Sequence, residues 1–222
     1  MLSRLARTLV PAVGHLRVTA DPGASLAPGS LLVANHTSMA DPAIVLAALE
    51  RLGVRPVVMA TAGLWRIPLL GGLLTRGGHI PVHRGDRRAA EALDLAAAAL
   101  DAGRLVLVYG EGRLPTRRDA AEQAPEAFRS GVARLVERTG APIVPVGQAG
   151  ARRVTSGSVA KQLAGLATAP LRRPELHVHV GAPLAAGGSG HRAVRTQRAH
   201  AAVTAAWRRA AGHLGEEAAL AA

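Results

Sequence analysis

His36 and Asp41 stand five positions apart in the run from Leu31 to Pro42, where a short apolar stretch breaks into a polar turn and a helical pattern follows. A histidine at a strand end, with a carboxylate close enough to orient it, suits general-base chemistry. The imidazole takes a proton from a substrate hydroxyl, while the carboxylate fixes the tautomer and stabilises the imidazolium. Ser38 lies between them and could be a nucleophile or a plain turn hydroxyl. Each residue also has a purely structural reading. A lone histidine is more often a packed residue than a catalyst, and Asp41 before Pro42 is the expected cap and first residue of a helix.

Two later turns carry compatible chemistry. Gly78 to Arg84 reads as a short strand ending in a basic turn, and Leu105 to Tyr109 as a buried strand ending in Gly110-Glu111-Gly112-Arg113. Arg84 and Arg113 could bind a phosphate, because a guanidinium fork matches its oxygens. Gly110 and Gly112 would let backbone approach a ligand closely. The plain alternative makes Arg84 a solvated charge and Glu111 its ion-pair partner. No Gly-x-Ser-x-Gly elbow occurs, so the substrate's own hydroxyl would be the nucleophile in a direct group transfer. His177 and His179 share one face of a strand, but with no third ligand in view they read as surface alternation, and no metal or dinucleotide signature is present.

These turns need elements to position them. Apolar runs at Leu16–Ala20, Leu31–Ala34, Arg55–Ala60, Leu105–Tyr109, Pro142–Gly147 and Glu175–Val180 read as strands. Helical patterns cover Asp41 to about Leu52, Asp86–Ala102, Phe128–Thr139 and His191–Leu214. Alternation of this kind predicts an α/β fold, a mostly parallel sheet flanked by helices, with ligands beyond the carboxyl ends of the strands. One domain is expected over residues 1–222, with a motif-bearing core of about 16–182, an N-terminal amphipathic segment over 1–15 and a basic C-terminal helix over 191–214. Residues 62–77 form an apolar segment broken by glycines and Pro68, suited to an acyl-chain groove, a lipid contact or a short packed helix pair. Residues 114–127 read as a polar loop, and 149–173 are basic and poorly patterned.

Bulk composition narrows the partners. The net charge of +12 favours anionic ligands, although arginine supplies nearly all of it and Lys161 is the single lysine. Aromatics make up only 2% of the chain, too few for base stacking, so nucleic acid is not an expected partner. The absence of cysteine removes thiolate metal sites and a cysteine nucleophile. No apolar run is long enough to span a bilayer. Met1 to Leu16 reads either as a surface-lying amphipathic segment or as a packed helix.

Four blocks, in order and spacing, resemble the glycerolipid acyltransferases of the bacterial lysophosphatidate type. The first is Asn-His-x-Ser-x-x-Asp, present in full as Asn35, His36, Ser38 and Asp41. The second is Gly78 to Arg84, and the third is Tyr109-Gly110-Glu111-Gly112-Arg113-Leu114, followed by Phe128-Arg129-Ser130-Gly131. The fourth is Pro142 to Val146. The resemblance covers residues from about 30 to 148 and implies a glycerol-phosphate acyltransferase-like fold. It also implies that His36 and Asp41 are catalytic. Arg84, Glu111, Gly112 and Arg113 would hold the acceptor's phosphate, with Asn35, Ser38 and Gly110 in support. The implied donor is acyl-CoA or acyl carrier protein, the acceptor is a lysophospholipid, and no metal or prosthetic group is required. The expected location is peripheral, on an anionic membrane surface at the cytoplasmic face. The third block departs from the family at Gly110, Arg113 and Leu114, where proline, threonine and arginine are usual, so the acceptor's identity hangs on it.

Overall fold

The structure, a computed structural model, describes residues 1–84, 89–114, 121–185 and 191–216. The expected helix start at Asp86, the loop residues Arg117, Arg118 and Asp119, the Gly187 to Gly190 break and the tail beyond Glu216 lie outside the described residues.

Strands β1 (His15–Ala20), β2 (Leu31–Ala34), β3 (Val57–Thr61), β4 (Ile80–Val82), β5 (Val106–Tyr109), β6 (Ile143–Ala149) and β7 (Glu175–Val180) form one seven-stranded sheet in the order β1-β7-β6-β2-β5-β3-β4. Strands β6, β2, β5, β3 and β4 run parallel. β7 pairs antiparallel to β6, and β1 joins it in parallel, so one edge of the sheet is reversed. β2 lies at the centre with all four residues fully buried, which explains why it reads as an unbroken apolar run rather than an alternating one.

Helices α1 (Leu2–Val13), α2 (Asp41–Arg51), α3 (Leu70–Arg76), α4 (Ala89–Asp101), α5 (Gly131–Thr139), α6 (Ala151–Val154), α7 (Val159–Arg172) and α8 (Arg192–Gly212) complete the described chain. α1 and α2 pack on one face through Ala6, Val10, Ile44 and Leu49. α4, α5 and α8 pack on the other through Ala96, Leu100, Leu135 and Val203. With so few aromatics, both layers are filled by Ala, Val and Leu, and helices come close to the sheet. Gly147 marks one close approach: a Cβ there would lie 2.1 Å from the Ala206–Trp207 backbone of α8.

Several expectations are corrected. Asp41 does not cap α2. It is the first helical residue, with Ala40 at the cap position, and its carboxylate turns back onto the preceding turn. Residues 149–173 contain α6, a single short turn, and α7, whose apolar residues are mostly exposed and so give no core-facing period. α5 starts at Gly131 rather than Phe128, because Arg129 N–H bonds the Gly110 carbonyl instead of entering the helix. His177 and His179 are buried, not at the surface. Thr19 bonds both rings, Asp21 bonds His179, and His213 stacks on His177 at 4.3 Å between centroids. Residues 62–77 form a short 3₁₀ turn (Ala62–Arg66) and then α3.

Candidate active site

The carboxyl ends of β2, β5, β4 and β6 meet at one edge of the sheet. β2 delivers His36 two residues beyond its last residue, and α2 begins at Asp41. His36 Nδ1 bonds Asp41 Oδ2 at 2.9 Å. The same oxygen accepts the backbone N–H of Thr37 and that of Ser38, the latter at 2.8 Å. Asp41 is fully buried, so these bonds replace the water its carboxylate would otherwise hold. With Nδ1 donating to Asp41, the free lone pair lies on Nε2, the nitrogen able to accept a proton. The ring rests 4.4 Å from the Tyr109 ring, which limits its tilt.

Gln148, at the end of β6, and α6 brace this turn from beyond the recognised blocks. Asn35 exchanges two hydrogen bonds with the Gln148 backbone, and Gln148 Nε2 donates to Thr37 Oγ1 at 2.9 Å. Arg152, itself buried, donates from Nη1 to the Thr37 carbonyl at 3.1 Å. Ser38 Oγ donates to the Thr155 carbonyl at 2.8 Å, so its hydroxyl is engaged with α6's C-terminal end instead of poised as a nucleophile. Gln148, Arg152 and Thr155 were missed by motif reading. The available signal was positional: β6 ends at the same sheet edge as β2 and β5.

Glu111 follows β5 and is also buried. Its Oε1 accepts the His36 backbone N–H at 3.1 Å, and it makes no ion pair with Arg84 among the described residues. Burial pushes its carboxyl up to about 8 against the pull of that bond, with the nearby Asp41 adding to the rise. Burial likewise raises the Tyr109 hydroxyl well above its ordinary value. Gly110 is required by Phe128, whose ring would lie 2.4 Å from any Cβ there. Gly112 sits at a φ of 67° with the Arg129 side chain over it.

His36 faces two spaces. One is an apolar cavity of about 490 Å³ whose walls include Leu5, Leu9, Leu46, Ala60 and Leu74, with Arg84 and Gly112 also lining it. The other is a polar pocket of about 30 Å³ that includes Thr37, Glu111 and Arg152. His36, Asp41, Glu111, Gly112 and Arg84 therefore converge. Arg113 does not: it lines neither space and pairs with Glu126 at 3.7 Å on the surface. Among the described residues, no group of three or more His, Asp or Glu side chains could hold a metal.

A histidine bonded to a buried carboxylate beside an apolar cavity could serve an acyl transfer. The family model described as Acyltransferase matches residues 15–148, more than half of the chain. This chain belongs to the acyltransferase family. The matched span carries the His36–Asp41 pair and the Glu111 turn, whereas α6, α7 and α8 lie beyond it. Its fold is similar to the crystal structure of the 1-acyl-sn-glycerophosphate (LPA) acyltransferase, PlsC, from Thermotoga maritima. The TM-score is 0.69 at 17% sequence identity, covering 93% of this chain and 77% of that one. At that identity the similarity speaks for the fold. No curated protein matches the chain in sequence. The family implies an acyl donor and a lipid acceptor as substrates.

Proposed function

We propose that this acyltransferase moves an acyl group from an acyl-CoA or acyl carrier protein thioester to the free hydroxyl of a lysophospholipid, 1-acylglycerol-3-phosphate, giving phosphatidate. The observation that carries the reading is the opening of His36 onto the apolar cavity, which Arg84 also lines. An acyl chain would occupy the cavity, and a phosphate would meet Arg84.

In the proposed reaction, His36 Nε2 takes the acceptor's hydroxyl proton while Asp41 steadies the imidazolium. The hydroxyl oxygen bonds the thioester carbonyl carbon, the carbon–sulfur bond breaks, and the thiolate leaves with the proton from His36. Atoms and charge balance without a metal or prosthetic group.

Exposed Leu5, Leu9, Ile67 and Leu69, close to Arg4, Arg7 and Arg66 in the chain, support attachment to an anionic membrane at this face. Among the described residues no helix is long and apolar enough to cross a membrane. The altered turn at Gly110, Arg113 and Leu114, with Arg113 paired to Glu126, favours a second reading in which the acceptor is an amino-lipid, a glycolipid or a small alcohol. The test is transfer of labelled acyl groups from acyl-CoA to a panel of acceptors. Labelled phosphatidate as the main product supports the first reading. Labelling of another acceptor alone supports the second, and no transfer to any acceptor contradicts both.

A further inference from the structure

The basic segment of residues 149–173 builds a second cleft beside the site. α6 and α7 border an open cleft of about 620 Å³ lined by Arg152, Arg153, Lys161 and Arg172, with no carboxylate among its described lining residues. Arg172 is held in place by carbonyls, donating to Arg153 O and Gly165 O at 2.8 Å each, so its charge is not neutralised by those contacts. Arg153 pairs with Glu216. Lys161 lies in the first turn of α7, where the helix dipole adds to the positive potential. Arg152 belongs to both spaces: it lines this cleft and the polar pocket on His36, and it bonds the Thr37 carbonyl next to His36.

We propose that this cleft binds the phosphates of the nucleotide end of acyl-CoA. The inference rests on the acyl-transfer reading. With the thioester at His36 and its acyl chain in the apolar cavity, the rest of the donor must leave by another route. Arg152 lines both the small pocket on His36 and the cleft, so the cleft adjoins the site at that residue. A cluster of guanidinium and ammonium groups suits a ligand carrying several phosphates better than one carrying a single phosphate. The arrangement makes Lys161 and Arg172 determinants of donor choice, whereas Arg84 meets the acceptor.

Two measurements on the full chain test this. Steady-state kinetics compare wild type, Lys161→Glu and Arg208→Glu, the last making the same charge change on α8, away from the cleft. Calorimetry measures binding of CoA itself to the same proteins. The expected result for Lys161→Glu is a KM for acyl-CoA raised about tenfold, an unchanged KM for lysophosphatidate, CoA binding weakened by a similar factor, and lost preference for acyl-CoA over acyl-pantetheine. Arg208→Glu should match wild type. A rise in the lysophosphatidate KM alone would assign the cleft to the acceptor's phosphate and overturn the proposal. Equal effects of both charge reversals, or wild-type CoA binding by Lys161→Glu, would overturn it as well. If the wild type binds CoA through Lys161 yet transfers no acyl group, the cleft stands and the acyl-transfer reading fails.

Discussion

Asn35 and the backbone of Gln148 bond each other in both directions: Asn35 Nδ2 donates to the Gln148 carbonyl at 3.0 Å, and Gln148 N–H donates to Asn35 Oδ1 at 2.8 Å. Asn35 thus continues the β2–β6 pairing by one step with its side chain, at the point where the β2 backbone leaves the sheet to form the His36 turn. Both partners are fully buried, so neither can turn to water. Asn35→Ala should orphan a buried N–H and a buried carbonyl and cost roughly 2–4 kcal/mol of stability. It should also lower kcat more than it raises KM, because the turn loses an anchor. Urea unfolding and steady-state kinetics on one preparation check both effects.

Ser38 tests the chemistry from another side. Its hydroxyl is spent on Thr155, so Ser38→Ala should cost about 1 kcal/mol of stability while leaving kcat within roughly tenfold of wild type. Mass spectrometry after incubation with acyl-CoA should find no acyl group on Ser38 in the wild type. A trapped acyl-serine would replace the direct-transfer scheme with a covalent one.

Glu111 makes stability depend on pH in a direction opposite to that of a salt-bridged carboxylate. Its folded value of about 8 lies above the ordinary 4.5, so the folded chain binds more protons than the unfolded chain between those values. This group's effect is therefore benign below that window, and stability falls as pH rises through it. Glu111→Gln keeps the acceptor for the His36 N–H and removes the titration. Denaturation midpoints should show the variant gaining on wild type from about pH 5 to pH 8. Parallel curves would contradict the buried, neutral Glu111.

Much of this was legible in the sequence, and the reasons differ by residue. β2 and β5 declared themselves as unbroken apolar runs because they are buried on both faces, and the His36–Asp41 spacing survives as a 2.9 Å contact. By sequence Asp41 also fits a helix cap, because Asp-Pro is the usual cap signal. What separates the roles is the direction of the carboxylate, and that depends on the 37–38 backbone. Arg113 looked like a phosphate ligand by type, yet the turn after Gly112 points it to Glu126. The burial of His177 comes from Trp207's helix lying over β7, a contact between distant parts of the chain that no local pattern encodes. Gln148 and Arg152 stayed hidden because a glutamine and an arginine after a strand have no signature until the sheet order places them beside β2.

In the proposed reaction His36 is the base and Asp41 its orienting partner. The most direct measurement is the rate of labelled acyl transfer from acyl-CoA by wild type, His36→Ala and Asp41→Asn, with circular dichroism to confirm folding. We expect both variants to fold and to lose rate by about 10²–10⁴-fold with little change in KM. A folded His36→Ala that transfers acyl groups at the wild-type rate would contradict the account.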